Sequence, residues 1–320
     1  MPHAYSLSGR TFRRPASADF RALPNHLSRY HPRMQLDIFE HSREVMLRNA
    51  AVEELRRRDA EAAVSAIAAL RAENPAEPLL PALGRLCAAL RLAIPRDPER
   101  ARAAALLDDI EGPVADAARQ ALGGGVTEWL APLRVELATA IAGFDFDPAA
   151  ENLHPAPLLL RAGRTADAIA AVETIPTWRR RPAPLAWLVE SRAGEGFAVV
   201  WPMLAELAWM APKRARALAA GLGLTELDRL IHDFDAGFEG DGTANDFACF
   251  PAWALLVDRS LAAGLTTAQE GALTPAESCA RLVLRLLALE RRGRHDDLIA
   301  GRAKLRAAHS ALFARYMRDR

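Results

Sequence analysis

Three short polar turns constrain this chain more than any other feature. They are Arg58-Asp59-Ala60, Gly163-Arg164-Thr165 and Gly293-Arg294-His295, and each interrupts a segment whose apolar residues fall at helical spacing. A second helical segment starts at once after each turn. Its inner face is small or apolar: Ala63, Ile67 and Leu70 after the first turn, Ala168, Val172 and Ile175 after the second, Leu298 and Leu305 after the third. Two helices joined by so short a turn must lie side by side, which makes each unit an antiparallel helical hairpin. Stacks of such hairpins usually hold partners rather than perform chemistry.

Composition agrees with that reading. About a fifth of the chain is alanine and leucine is nearly as common; both are strong helix formers. No run of alternating β-branched residues offers material for a sheet, so the expected class is all-α. A hydrophobic content of 51% over 320 residues suffices for a large core in one or two domains. The net charge of +1 creates no global field for nucleic acid or membranes. Of the 41 basic residues only Lys213 and Lys304 are lysine, a bias that GC-rich codon usage produces and that gives the chain a bacterial look. Cys87, Cys249 and Cys279 lie far apart with no CxxC pair, which argues against a zinc cluster and a disulfide framework. No uncharged apolar run reaches about 18 residues, and no apolar h-region opens the chain, so no membrane partner is expected and the expected compartment is the cytoplasm.

Residues 1–33 differ from the rest. They hold six arginines and one acid, Asp19, so the segment alone carries +5 and the remainder −4. Helical periodicity begins after Met34. The segment reads as a start codon upstream of the one in use, as a basic disordered arm for an acidic partner, or as an Arg-rich targeting peptide.

From Ile38 onward the punctuation predicts a succession of helices. Asp59 caps the second of them and Pro75 ends it. Leu79 to Leu92 is apolar and stops before Pro95. Pro98 stands at a helix start, Gly112-Pro113 opens a short helix, and Gly123-Gly124-Gly125 closes it. Val126 to Ile141 follows. The Pro- and Asp-containing stretch 143–157 is the expected connector between a subdomain over 34–142 and another over 158–320. Helices are then expected near 183–193, 197–210, 212–221 and 224–237, a loop over 238–251, and two long helices over 275–292 and 294–317. The stripe Leu282, Leu286 and Leu289 is expected to pack on the last of these, although a terminal helix face can also make a homo-oligomer.

The spacing Ala63, Ile67, Leu70, Pro75, with Ala50 and Ala51 in the preceding helix, resembles the tetratricopeptide repeat. The second copy keeps Gly163, Ala168, Val172 and Ile175 but is cut short by Pro155 and Pro157, and its proline, Pro176, comes early. The third keeps Gly293 and Leu298 and places Arg302 where a large apolar residue belongs. About 100 of the 320 residues carry the resemblance, and the copies stand roughly 100 residues apart rather than 34. The resemblance implies an irregular, TPR-like α-solenoid that recognises a partner peptide or helix.

Residues that could carry chemistry are few. His232, Asp233, Asp235, Glu239, Asp241 and Asp246 crowd a glycine-bearing stretch that could offer oxygen ligands to a hard cation, but no EF-hand spacing is present. Cys249, with His232 and Asp246 upstream, sits between Phe247 and Phe250 as a small hydrophobe would. The glycine runs lack the Lys-Ser/Thr of a phosphate loop. No catalytic residue, cofactor or metal ligand is therefore assigned. All six tryptophans fall between 129 and 253. Trp178, Trp187, Trp201, Trp209 and Trp253, together with the run Arg179-Arg180-Arg181, are the expected lining of a partner groove, since Trp and Arg are favoured anchors. Two other classes remain open: a metal-dependent protein or enzyme centred on 232–249, and a nucleic-acid or acidic-partner binder using the N-terminal arm and Arg179–Arg181.

Overall fold

In the computed structural model, which describes residues 32–271 and 274–318 and the side chains from Arg43 onward, helices follow one another from end to end. They are α1 (Pro32–Arg57), α2 (Ala60–Glu73), α3 (Leu80–Leu90), α4 (Arg100–Asp109), α5 (Ala115–Leu122), α6 (Val126–Ala140), α7 (Pro155–Arg161), α8 (Thr165–Glu173), α9 (Pro182–Arg192), α10 (Phe197–Met210), α11 (Pro212–Ala219), α12 (Thr225–Gly237), α13 (Phe250–Val257), α14 (Ala262–Leu265), α15 (Pro275–Arg292), α16 (His295–Ala308) and α17 (Ser310–Arg318). No strand occurs among the described residues, so the protein is all-α. The basic N-terminal segment, up to residue 31, lies outside the described residues. The described residues from Leu47 onward form one compact unit, and those before it belong to another, in which Val45 and Met46 are exposed.

The three turns share one hydrogen-bond pattern. The first residue is left-handed: Arg58 at φ 62°, Gly163 at 72° and Gly293 at 67°. Its N–H donates three residues back, to Leu55, Leu160 and Glu290 respectively. The next N–H reaches five residues back, from Asp59 to Glu54, Arg164 to Leu159 and Arg294 to Leu289. This pair of bonds is the Schellman motif, which satisfies the last carbonyls of one helix while turning the chain into the next. Arg58 occupies a conformation that glycine fills in the other two copies. Its side chain compensates: Nη1 donates to the Trp129 carbonyl at 2.7 Å, and the guanidinium lies 5.2 Å from the Trp129 ring. Trp129 Nε1 donates in turn to the Leu55 carbonyl at 2.7 Å, pinning α6 to the end of α1. Asp59 accepts from the Glu61 and Ala62 N–H groups, the cap expected of it, a contribution of about 1 kcal/mol.

Within the unit 47–320 the buried apolar residues form two clusters. One runs from Ala51 to Leu158 and the other from Ala156 to Tyr316. The second is built around α10, in which every residue from Val200 to Trp209 is buried. A helix apolar on all sides belongs in the middle of a bundle.

Three boundaries differ from the sequence expectation. Gly112-Pro113 does not begin a helix. Residues 110–114 form a π-turn that joins α4 to α5 without a stop, with the Ala115 N–H reaching back to Ile110; the wider turn absorbs the N–H that Pro113 lacks. The 238–251 loop is shorter than expected, since 244–249 is a 3₁₀ turn that leads directly into α13. The closing helix is broken at His309, which is extended at φ −159° and separates α16 from α17. The break lets α17 fold back: Tyr316 is buried, its hydroxyl donates to Glu290, and Arg302 covers its ring at 5.6 Å. Arg302 thus stacks on a ring rather than entering the apolar core.

Candidate functional site

The expected tryptophan groove does not form as a surface. Trp201, Trp209 and Trp253 are 1%, 3% and 3% exposed, because α10 and α13 are the centre of the second cluster. Trp201 donates to the Leu261 carbonyl at 3.1 Å, Arg281 stacks over Trp209, and Phe234 meets Trp253 edge-on. Trp178 is half-buried in a 3₁₀ turn over 178–180. The arginine run beside it is largely spent on the fold. Arg179 makes a forked pair with the buried Glu206 at 2.7–2.8 Å, and the Gln269 N–H adds a third bond to that carboxylate. Arg181 covers the Phe146 ring at 5.2 Å and donates to the Pro176 carbonyl. Arg180 alone of the three is exposed.

Two residues of the acidic stretch are likewise engaged in the fold. Asp235 pairs with both terminal nitrogens of Arg216. Asp246 accepts from the Gly242 and Thr243 N–H groups and completes a capping box with Thr243. Among the described residues no group of three or more His, Cys, Asp or Glu side chains could hold a metal ion. Cys249 meets His309, not His232, with Sγ 3.3 Å from Nε2. His309 Nδ1 accepts from the Leu312 N–H, and burial holds its pKa below the ordinary value. The neutral ring therefore carries its proton on Nε2 and donates to the thiol. Burial, helped by Cys279, Asp246 and Asp241, pushes the Cys249 pKa up to about 12. A nucleophilic cysteine needs the opposite shift and a base that can accept its proton.

Two of the open troughs are walled by facing helices, the first over directly packed α2 and α3, the second over α7, which lies between α6 and α8. The first lies between α2 and α3, has a volume of about 490 Å³, and is lined by Val64, Ile67, Ala68 and Arg71 on one side and Gly84, Cys87, Ala88 and Arg91 on the other. The second, of about 510 Å³, runs between α6 and α8. Val135, Ala138, Thr139 and Ala142 line one wall; Asp167, Ala170, Ala171 and Thr174 line the other. Each of the four walls repeats at i, i+3, i+4, i+7, which is one helix face over two turns. Each wall carries at least one alanine at its centre, beside Ile67 on α2, Cys87 on α3 and Thr139 on α6.

The second trough has a polar point that the first lacks. His154, at the N-cap of α7, is 4% exposed and lines it, with Pro155 and Leu159 next to it. Its Nδ1 accepts from the Ala156 N–H at 3.2 Å. The ring stacks on Trp187, with centroids 5.4 Å apart and planes 10° off parallel, and Phe146 stands edge-on to both. Burial lowers the His154 pKa to about 4, so the ring is neutral at pH 7. Trp187 and Arg181 therefore do come together, through Phe146, but as the backing of a trough rather than as its lining.

Neither trough is lined by tryptophan. The signal in the sequence is the pair Ala170-Ala171 on α8 and the single Ala68 on α2, next to the buried Ile67. Arg164, by contrast, belongs to a recognised turn and also lines the second trough, where it pairs with Asp167 at 2.5 Å. The chain matches no protein-family model, no curated protein and no solved structure, so what the troughs hold is read from their own geometry.

Proposed function

We propose that this protein is a non-catalytic, cytoplasmic interaction scaffold that receives helices of a partner protein in its two alanine-walled troughs. The observation that carries the reading is that each trough has two facing walls, each drawn from one helix face. That is the shape a third helix fills by ridge-into-groove packing. Two turns of wall are about 10 Å long, so each trough takes a short helical segment and gives modest affinity alone. The hairpins with identical turns, and the tetratricopeptide-like spacing after them, support a repeat architecture of the TPR type. No single described helix is long and apolar enough to cross a membrane. The metal-centre and nucleic-acid readings are less favoured, because Asp235, Asp246, Arg179 and Arg181 are engaged within the fold.

Ala68 and Ala170 are exposed wall residues that can be enlarged without touching the core. Wild type, Ala68→Trp and Ala170→Trp should be captured from native cells at about 150 mM salt, and the bound proteins compared quantitatively. A stoichiometric partner that is lost from one trough variant, with melting unchanged, is the expected result. A partner set identical in all three would overturn the reading.

A further inference from the structure

We propose that His309 is an acid-sensitive latch on α17: the neutral ring caps this helix and holds it on the bundle, and a second ring proton releases it. The inference is independent of the troughs. His309 is the extended residue between α16 and α17 and stands at the N-cap of α17. Its carbonyl accepts the first intrahelical bond, from the Phe313 N–H at 3.0 Å, and its Nδ1 accepts from the Leu312 N–H at 3.4 Å. Leu312 is the third residue of α17, which is where a capping side chain finds its donor. Serine, threonine, asparagine and aspartate are the usual caps, and near neutral pH each keeps its acceptor oxygen. A histidine keeps its acceptor only while neutral, because both nitrogens of the imidazolium are donors.

The two ring nitrogens respond differently to that proton. Nε2 lies 3.3 Å from Cys249 Sγ and donates in either charge state, so this contact survives. Nδ1 gains a hydrogen that faces the Leu312 N–H, and turning the ring over presents a donor again. Protonation therefore takes the cap from α17 while His309 stays on Cys249, which makes residue 309 the hinge. The surroundings set the direction. Asp241 and Asp246, in the stretch after α12, favour the charged ring; burial disfavours it and outweighs them. Phe238, beyond the end of α12, adds a tilted ring 5.7 Å away. α13, packed on α17, has no titratable side chain from Phe250 to Val257, and Cys279 of α15 acts on Cys249. On the flanking helices Arg306 lies over Phe313, and Arg315 stands one turn further on. The ring thus takes the proton more readily once α17 has let go, so docking is full above about pH 6.5 and weakens below it. α17 has little to set against the loss: it is nine residues long and buries Leu312 and Tyr316.

Hydrogen exchange on the full chain, corrected for the intrinsic rate at each pH, tests this between about pH 7.5 and about pH 5. Protection of the α17 amides is expected to fall by about fivefold or more, the usual contribution of a helix cap, while protection of α15 and α6 holds. In His309→Asn, whose side-chain oxygen caps without titrating, α17 should be equally protected across the range. Protection of α17 that does not change with pH in the wild type overturns the proposal. So does a fall shared by α15, which is global unfolding, or a fall that persists in His309→Asn, which assigns it to other groups such as Asp241 or Asp246. Should His309→Asn fail to fold, the ring nitrogens of wild-type His309 decide by NMR. Nδ1 is expected to lose its lone pair over the same pH range in which α17 loses protection, and a titration displaced from that loss overturns the assignment.

Discussion

Removing the Arg179 guanidinium would strand a carboxylate that is only 4% exposed. Glu206 sits on the central helix with Arg179 and the Gln269 N–H as its partners. The Arg179 side chain is about one-third exposed, so the loss is expected at the lower end for a broken buried pair, about 2–3 kcal/mol for Arg179→Ala in urea unfolding. Arg179→Met with Glu206→Leu should recover part of that loss, because both charges leave together. If the single variant costs nothing, water already solvates Glu206. His154 gives a pH signature. Its pKa is about 4 in the folded chain and 6.5 when free, so the unfolded state takes the proton first as pH falls. Stability from this group is full above about pH 6.5 and is lost progressively toward pH 4, by about 3 kcal/mol at the limit. His309, whose pKa is also lowered, acts in the same direction. His154→Asn should flatten the fall in urea midpoint between pH 6.5 and 4. At this scale the sequence was a poor guide to the site. Trp and Arg look like anchors in a string of letters, but whether a tryptophan faces water or a neighbour depends on which helix is central. Cys249 shows the same limit: its partner is 60 positions downstream, beyond the reach of any local motif.

Elements were more legible than residues, and where they were misread the reason is local. Turns announce themselves because left-handed backbone is cheap for glycine, as at Gly163 and Gly293. Arg58 broke that rule, and its own polar stretch still marked the turn. Proline at 113 announced a helix start, yet a π-turn let the helix continue. The break at His309 had no glycine or proline to signal it; a side-chain nitrogen caps the next helix instead. Helix contact distance is set in the same local way at Gly301. A Cβ there would stand 2.7 Å from Leu286 Cδ2, the tip of a side chain that is itself fully buried. Two terms compete on substitution. Alanine gains about 1 kcal/mol of helix propensity over glycine, and the clash with one methyl takes back a similar amount. Gly301→Ala should therefore be near neutral in thermal melting, whereas Gly301→Val, which adds two further methyls against Leu286, should cost about 2 kcal/mol. A neutral valine variant would mean that α15 and α16 separate easily.

For the molecule as a whole, the unit from Leu47 onward could be read as all-α from alanine, leucine and three turns, while its troughs could not. A wall of alanine looks in sequence like ordinary helix surface, and becomes a feature only when a second wall stands opposite it. That origin has a consequence for how the protein should bind. The proposed interface would depend on apolar burial and shape, and such contacts are little screened by salt. A phosphate-reading interface releases counterions, and six phosphate contacts would lose about a thousandfold in affinity between 50 and 200 mM salt. The captured partner is therefore expected to dissociate with a constant that changes less than about threefold over that range. Measured on the full chain, flat salt dependence together with sensitivity to Ala170→Trp would place the contact in the trough. A steep slope unaffected by Ala68→Trp and Ala170→Trp would instead move the contact to basic surface, with exposed Arg180 and the arginines before Met34 as the groups to neutralise next.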